Sequence, residues 1–484
     1  MLASQADRPE RDRQFQQLAA LLLTAAALPR FWAAWVDQGL FWPDEIFQGI
    51  EQAHRVVFGY GIVPWEFRAG ARSWVFPGVL AVLLKLGDVI GLHSGRSLVL
   101  LAKTTMALVS LSGIYLSMRI AYQLAGRQAA LFAGAFGGFL SVSLLLASRC
   151  SAEMLSGPLL LALVGMASGG GRGRLLAAGA LGGFCIHLRY QNGLIVAGVL
   201  AIIVSERRYK DALYYAAGAG VLGVLGGLLD WITWGKPFYA LKKYLWFNLK
   251  KSAHKFGAYP FTYYAKVAWS ANGPAILVVL AGLLWSARRE PALCALVIAY
   301  VLVHCAVPHK EFRFLMPIAP LLLTLSSVGL ADALARVSDQ ARRWWIGVAL
   351  AGVCAAWMGW SATQLTWEKM GFPSDRGDRS PWHSGEGINR LLWRLGETQD
   401  VCGVIVTGES IGWIGGYTYF HRDANMFPEL KPEQQRAANY WIAREDEVLP
   451  SEYRKVEQIR EFVLYRRNGS CAPAPEGYAR ELPY

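Results

Sequence analysis

The feature that most constrains this chain is a series of long apolar runs without charged residues. Residues 291–308 form one such run, close to the roughly 20 residues that an α-helix needs to cross a bilayer. Charged residues make up only 17% of the chain, against about 25% in ordinary soluble domains. The sequence therefore predicts a polytopic membrane protein and excludes a disordered chain, a fibre and a soluble globular domain.

Charge is distributed unevenly along the chain. Residues 1–365 contain 33 Lys and Arg and 17 Asp and Glu, whereas residues 366–484 contain 15 and 18. The net charge is therefore +16 in the first part and −3 in the tail. Because cytoplasmic loops of membrane proteins accumulate Lys and Arg, topology accounts for the basic excess, and we predict no nucleic-acid partner.

The apolar runs and the basic turns between them predict a cytoplasmic N-terminus. The first run, residues 18–36, follows three arginines and indicates a retained helix. Runs 74–91 and 97–118 must together make one crossing, so one of them is re-entrant or lies along the membrane surface. The prediction is then about eleven true spans, and the total number of transmembrane helices is about 11–13. The remaining runs are 127–147, 152–168, 174–187, 192–205, 211–230, 271–287, 291–306, 312–330 and 343–363.

With this orientation, four polar segments fall on the non-cytoplasmic face, where their convergence would form a site. They are residues 37–73, 148–153, 230–269 and 307–313.

The polar tail, residues 366–484, predicts a small α/β domain separate from residues 1–365. Short strands are predicted at 401–408 and 461–467, and helices at 387–399 and 431–444.

The tail contains only two of the seven cysteines, Cys402 and Cys471. They can pair if the tail faces an oxidising compartment, and they stay free if it does not. No cysteine spacing indicates a metal or redox motif.

The densest polar cluster follows the first apolar run. Asp44 and Glu45 are adjacent carboxylates between aromatic residues, on a segment that begins with proline. A partly desolvated carboxylate at a membrane boundary can act as a general base toward an amphiphilic substrate, and the alternative is a solvated acidic loop. If residues 44–57 are helical, Asp44, Gln48 and Glu51 share one face.

A second cluster lies between two apolar runs, at residues 308–313. It carries His309, Lys310, Glu311 and Arg313. Ionisable groups at such a boundary by default indicate a functional site, here a cationic pocket for a lipid phosphate. The alternative is an ordinary short loop on the far face.

Two weaker signals are Asp230, at the end of a long apolar run, and Arg189. Structural anchoring explains both more simply than ligand contact does.

Several different short motifs follow one another along residues 20–330, and one more lies in the tail. They are Phe41-Trp-Pro-Asp-Glu45 with Gln48 and Glu51-Gln-Ala-His54, Phe58-Gly-Tyr-Gly61, Trp65-Glu66, Arg72-Ser73, Asp230 with Trp234-Gly235, Phe247-Asn248, Phe256-Gly-Ala-Tyr-Pro260, Tyr263-Tyr264, His309 to Leu315 and Tyr417 to Arg422. Together they resemble glycosyltransferase family 22, the dolichyl-phosphate-mannose-dependent mannosyltransferases of the GPI-anchor and N-glycan pathways. The pattern is most similar to that of the GPI third mannosyltransferase subgroup.

The resemblance implies a GT-C-like, all-α polytopic membrane domain at residues 1–365, with a catalytic first outer loop at 37–73. The extracytoplasmic α/β domain would then be residues 366–484. Trp42-Pro43 departs from the pattern of many members, which have His before the acidic pair, and this leaves the acceptor open.

The resemblance also implies residue roles. Asp44 would be the general base that deprotonates the acceptor hydroxyl, and Glu45 would support it. Donor phosphate would be bound by Lys310, Arg313, His309 and Arg72. Substrate contacts would come from Gln48, Glu51, His54, Trp65, Glu66 and Asp230.

The implied reaction is inverting transfer of a mannosyl or other hexosyl residue from a polyprenyl- or dolichyl-phosphate sugar to a glycolipid or lipid-linked glycan, without metal or cofactor. The expected partners are these two substrates and membrane lipids. Composition favours a bacterial inner membrane, with the site on the periplasmic face; in a eukaryote the site would be on the luminal face of the ER membrane. The competing hypothesis is a multi-span transporter or lipid flippase, which would show inverted halves.

Overall fold

A computed structural model describes residues 8–40, 42–250, 257–372, 379–428 and 431–482. The chain divides into two units. The first unit consists of Met1–Ala33, Met106–Ser148 and Ala152–Ser380, and the second of Ala34–Thr105, Arg149–Ser151 and Pro381–Tyr484. Residues 37–73 therefore share a unit with most of the tail. The boundary predicted at residue 365 followed composition along the chain, so it could not group the first outer loop with the tail.

Helices dominate residues 8–363. Their bounds are Arg8–Trp35, Pro43–Glu45, Ile46–Ile50 (a π-helical turn), Glu51–Phe58, Trp65–Arg68, Val75–Val89, Gly95–Phe139, Ser141–Leu146, Ala152–Ser168, Arg172–Leu188, Gly193–Ser205, Tyr209–Trp234, Tyr239–Lys250, Tyr263–Asn272, Ala275–Ser286, Pro291–Ala306, Ala319–Leu334 and Gln340–Thr363.

Four helices are long and apolar enough to cross a membrane: Asp12–Trp35, Gly95–Phe139, Tyr209–Trp234 and Gln340–Thr363. Five further apolar helices are shorter, with 10 to 17 residues each. Both figures refer to the described residues. The larger predicted number of spans includes the shorter helices and stays a prediction.

The segment after the first outer loop forms two helices, Val75–Val89 and Gly95–Phe139. The first has 15 residues, which rise about 22 Å and fall short of the ~30 Å hydrocarbon thickness. The second has 45 residues and breaks at Gly126, where φ is 76°. This long helix joins the predicted runs 97–118 and 127–147. The short Val75–Val89 is therefore the better candidate for the segment that does not cross the membrane.

Helices of the first unit pack closely where small residues face each other. A Cβ on Gly179 would lie 1.9 Å from the carbonyl oxygen of Tyr215, and one on Gly218 would lie 2.1 Å from that of Leu176. Close backbone approach of this kind is typical of helices packed in membranes, where small residues stand at the interface.

The second unit contains a five-stranded sheet. The strands are β1 (Gly403–Val406), β2 (Asn425–Phe427), β3 (Tyr440–Arg444), β4 (Arg454–Ile459) and β5 (Phe462–Arg466), in the order β2-β1-β3-β5-β4. Strands β1, β2 and β3 are parallel, and β5 is antiparallel to β3 and β4. The tail also has helices Glu386–Glu397, Gly416–Phe420 and Pro432–Arg436.

Three of the four tail elements predicted from the sequence are confirmed: both strands and the helix at 387–399. The predicted helix at 431–444 is wrong beyond Arg436, because the chain enters β3 at Tyr440. Tyr-Trp-Ile is a bulky aromatic and β-branched sequence that favours a strand between two others.

Cys402 and Cys471 form a disulfide bond, with their Cα atoms 6.0 Å apart. The bond joins the residue before β1 to the segment after β5. The other five cysteines are free and buried.

Candidate active site

Asp44 and Glu45 lie in a short helix, Pro43–Glu45, that begins where the chain leaves an extended residue, Trp42. Proline suits the first helical position because its missing N–H has no helical partner there. The helical segment continues to Phe58. It is terminated by Gly59, whose φ of 87° is in the left-handed region. Residues 44–57 are therefore helical, which is the condition under which a common face was predicted.

The π-helical turn Ile46–Ile50 changes which residues share a face of this helix. Its i→i+5 bonding inserts an extra residue relative to an α-helix and rotates the residues after the turn relative to those before it. Asp44 and Gln48 are half-buried, whereas Glu51 is fully buried. The predicted common face of Asp44, Gln48 and Glu51 is therefore wrong at Glu51.

The half-buried side of the segment gathers polar groups. Gln48 Nε2 donates a 2.9 Å hydrogen bond to Glu66 Oε1, and Arg72 Nη2 lies 3.7 Å from the same oxygen. Burial raises the pKa of Glu66, Arg72 opposes this, and the neighbouring Asp44 carboxylate raises the pKa further. The half-buried Trp65 precedes Glu66 in helix Trp65–Arg68. Asp44, Gln48, Glu66 and Arg72 therefore form one polar cluster, which we call the Asp44 cluster.

The buried side is occupied by four charges, of which only Glu45 has a role predicted from the sequence. Arg149 Nη2 donates to Asp37 Oδ2 at 2.5 Å, and its Nη1 donates to the Gly39 carbonyl at 2.6 Å. Arg149 Nη1 also lies 3.7 Å from Glu45 Oε2. The Lys103 ammonium donates to the backbone carbonyl of Asp37.

All four charged side chains are buried, and their charges balance because two are carboxylates and two are cations. We call Asp37, Glu45, Lys103 and Arg149 the inner charge cluster. The sequence contains one signal for this cluster. Lys103 lies within an apolar run, and charges inside membrane segments by default indicate a functional site.

Glu51 holds the first loop to the tail. Its carboxylate accepts hydrogen bonds from the backbone N–H groups of Ile62 (2.8 Å), Tyr417 (3.0 Å) and Thr418 (2.8 Å), and from the Thr418 hydroxyl (2.6 Å). The side chain is fully buried. These contacts give Glu51 a structural role, and its predicted substrate contact stays a prediction.

His54 makes a second contact with the tail. Its Nε2 lies 2.9 Å from Nδ1 of His421, and its Nδ1 lies 3.0 Å from the carbonyl oxygen of Tyr60. Burial and the neighbouring His421 lower the pKa of His54 to about 3. The ring is enclosed by protein, and the predicted substrate contact of His54 also stays a prediction.

The His54 pair predicts acid sensitivity of the second unit. The ring must stay neutral in the folded protein, while in the unfolded chain it takes up a proton below about pH 6.5. Its contribution to stability is therefore complete above that pH and is lost as the pH falls toward 3. At pH 5 the loss is about 2 kcal/mol.

Thermal unfolding of the purified protein at pH 7.5 and pH 5 measures this effect. The His54→Gln variant should lose less stability between these values than the wild type. His93→Gln, which removes a largely exposed ring, serves as the control. An equal acid-induced loss in wild type and His54→Gln would contradict the assignment.

The second cluster, residues 308–313, lies in the first unit and is internally paired. Arg313 Nε lies 2.7 Å from Glu311 Oε2, and Arg313 Nη1 lies 3.3 Å from Glu153 Oε1. Arg189 Nη2 pairs with the same Glu153 oxygen at 2.9 Å. Burial acts to raise the pKa of Glu311, but Arg313 and the hydrogen bond from His309 outweigh it and lower the pKa to about 2.

Lys310 also has protein partners. Its Nζ donates to the backbone carbonyls of Tyr259 at 2.9 Å and Val307 at 2.5 Å. His309 Nε2 lies 3.2 Å from Glu311 Oε1. A donor phosphate at this segment would have to share or displace these contacts.

Asp230 is buried and accepts a 3.0 Å hydrogen bond from the backbone N–H of Ala240. The bond ties the end of helix Tyr209–Trp234 to the start of helix Tyr239–Lys250. This bond supports the anchoring interpretation of Asp230, and the substrate contact implied by the resemblance stays a prediction. Phe256, in another of the motifs, lies outside the described residues.

Among the described residues, no three His, Cys, Asp or Glu side chains are grouped to hold a metal ion. The expected independence from metal stays a prediction.

Comparison with known proteins identifies related sequences. Residues 21–365 match the Alg9-like mannosyltransferase family. GPI mannosyltransferase 3 of Yarrowia lipolytica is 27% identical over 353 residues, which cover 71% of this chain and 68% of that protein. GPI mannosyltransferase 3 of Drosophila melanogaster is 29% identical, covering 66% and 57%. GPI alpha-1,2-mannosyltransferase 3 of Danio rerio is 26% identical, covering 61% and 56%.

Solved structures share the fold. ArnT from Cupriavidus metallidurans bound to undecaprenyl phosphate superposes with a TM-score of 0.62 at 15% identity, covering 94% of this chain and 99% of that chain. The oligosaccharyltransferase AglB from Archaeoglobus fulgidus gives a TM-score of 0.50 at 13% identity, covering 89% and 69%. Both are GT-C glycosyltransferases, so the predicted fold class is confirmed.

Proposed function

The chain belongs to the Alg9-like mannosyltransferase family, and we propose that it is an inverting membrane glycosyltransferase that uses a polyprenyl- or dolichyl-phosphate mannose as donor. The observation that carries the proposal is the position of Asp44 within the matched residues. Its half-buried carboxylate lies near Glu66, which contacts Gln48 and Arg72, and the adjacent Glu45 belongs to the buried inner charge cluster.

In the proposed reaction Asp44 removes the proton from an acceptor hydroxyl. The acceptor oxygen attacks C1 of the sugar as the bond from C1 to the phosphate oxygen breaks. The lipid phosphate leaves with the bonding electron pair, and the proton on Asp44 then passes to water. The leaving group is already a phosphate monoester, so the reaction needs no strong general acid.

Cationic residues would stabilise the charge that develops on the phosphate. Arg72 is the cation of the Asp44 cluster, with a side chain 22% exposed. Lys310, Arg313 and His309 are proposed for the same role from the family pattern, although their present partners are protein oxygens. Preorganised donors of this kind typically contribute about 10²–10³ in rate.

The acceptor class is a glycolipid or lipid-linked glycan, on the non-cytoplasmic face. The relatives named above are GPI mannosyltransferases, which favours a GPI-like acceptor. A solved structure with this fold holds undecaprenyl phosphate, which agrees with a polyprenyl-phosphate donor. The disulfide in the tail is consistent with an oxidising compartment, periplasmic or luminal. No metal is needed, because there is no diphosphate to bridge.

Transfer of radiolabelled mannose from polyprenyl-phosphate mannose to a lipid extract of the host tests the proposal. The purified protein should produce a new labelled glycolipid, and a chelator should not reduce the yield. Loss of activity with EDTA and recovery with Mg²⁺ would contradict the metal-free mechanism.

A negative result would be equally informative. If the protein transfers nothing from polyprenyl-phosphate mannose or from other polyprenyl-phosphate sugars, the proposed function fails. Movement of a lipid or solute across liposomes that contain the protein would then favour the transporter hypothesis.

A further inference from the structure

Asp44 and Glu45 are adjacent in one helical turn, yet they face different environments. Glu45 is buried against the guanidinium of Arg149, whereas Asp44 is half-buried and interacts with Glu66. Successive helical residues point about 100° apart, so the direction of one side chain fixes the direction of the next. The side chain that holds Glu45 therefore also determines where Asp44 points.

Arg149 is the centre of the contacts on the buried side. Its two terminal nitrogens contact three oxygens: the Asp37 carboxylate, the Gly39 carbonyl and the Glu45 carboxylate. Asp37 and Gly39 belong to the chain that leads into the short helix, and Glu45 ends it. A planar guanidinium can bridge such acceptors in a fixed geometry, which an ammonium cannot do.

The partners of Arg149 are themselves fixed. Asp37 Oδ1 accepts the backbone N–H of Gly39 at 2.9 Å and that of His383 at 3.0 Å. Its backbone carbonyl accepts from Lys103. Arg149 therefore joins Glu45 to Asp37, a residue that its own hydrogen bonds hold in place.

We infer that Arg149 is a positioning residue, which fixes the rotation of the helix Pro43–Glu45 so that Asp44 faces the acceptor hydroxyl. The inference rests on the proposed role of Asp44 as general base. Arg149 itself does not touch the reacting atoms. A small misplacement of a catalytic group can lower the rate about 10²-fold, which makes such a residue visible in kinetics.

The test must separate positioning from folding. Arg149→Met alone leaves Asp37 and Glu45 opposite Lys103, with the His383 ring 3.6 Å from Asp37 Oδ1. The double variant Arg149→Met/Asp37→Asn removes one charge of each sign and leaves Lys103 opposite Glu45, so it should fold with a melting temperature near that of the wild type. Arg149→Lys keeps the charge but loses the bridging geometry.

We expect the double variant and Arg149→Lys to lower kcat at least about 10-fold, with KM for the donor changed much less. Arg394→Met, which removes an exposed arginine of the same unit, should leave both constants unchanged. Wild-type kcat in both variants would overturn the inference, because Arg149 would then be only structural. If the double variant does not fold, Arg149→Lys decides the question.

A second readout does not depend on activity. Asp44→Cys should react rapidly with a membrane-impermeant maleimide, quantified by mass spectrometry of the labelled peptide. Adding Arg149→Lys should change this rate at least about threefold, because a change of rotation alters the exposure of position 44. An unchanged rate would contradict positioning. This measurement remains valid if the protein transfers no sugar, so failure of the inference and failure of the proposed function are distinguishable.

Discussion

Replacement of Asp44 by Asn is expected to lower kcat about 10²–10⁴-fold while the protein stays folded. The amide is nearly isosteric with the carboxylate but cannot take a proton from the acceptor hydroxyl. Asp44 is outside the inner charge cluster, so its neutralisation should cost little stability. The measurement is transfer of mannose at saturating donor, together with the melting temperature of each variant.

Three further variants make this prediction specific. Asp446→Asn changes an exposed aspartate of the same unit and should leave kcat unchanged. Glu45→Gln should lower stability, because Arg149 and Lys103 lose a counter-charge. Glu66→Gln should keep at least about a tenth of the activity, since its amide can still contact Gln48. If Glu66→Gln abolishes transfer and Asp44→Asn does not, Glu66 is the base.

The sequence predicted the class of fold because the bilayer restricts the possible structures. Apolar runs without charges must be helices there, since the backbone has no other hydrogen-bond partners. The number of crossings is less determined, because length alone does not distinguish a short span from a segment on the surface. Val75–Val89 shows this, since its 15 residues are mostly apolar but include Lys85 and Asp88, and they are too few to cross the hydrocarbon directly.

The site was only partly predictable, because periodicity does not show where a helix changes its bonding pattern. The π-helical turn Ile46–Ile50 has no sequence signal in this chain, and it removes Glu51 from the face of Asp44. The donors that Glu51 finds, the Tyr417 and Thr418 N–H groups, come from more than 360 residues away. The resemblance pointed to the Tyr417–Arg422 stretch but not to its contact with the first loop.

Long-range charge pairing was the other feature of the site that the sequence did not predict. Arg149 and Asp37 are separated by 112 residues, and nothing in their local sequences specifies the pairing. From the sequence, Lys103 is recognisable only as a charge within the apolar run 97–118. A buried charge predicts that a partner exists, but the partner's identity requires the fold.

Replacement of Arg313 by Met is expected to have the second large effect, on stability as well as transfer. It leaves Glu153 and Glu311 with Arg189 as the remaining buried arginine, so one carboxylate loses its counter-charge. Breaking a buried pair in this way costs about 3–5 kcal/mol. The exposed pair Arg289–Asp332 is the matched control, and Arg289→Met should cost less than about 1 kcal/mol.

The double variant Arg313→Met/Glu311→Gln then separates structure from catalysis. It removes one charge of each sign, so thermal unfolding should return close to that of the wild type. If Arg313 contacts the donor phosphate in the reaction, transfer stays about 10²–10³-fold below wild type in this stable variant. If transfer recovers together with stability, Arg313 serves only to neutralise its two buried carboxylates. The phosphate would then have to be bound by other cations, of which Arg72 is the first to test, because it already lies in the Asp44 cluster.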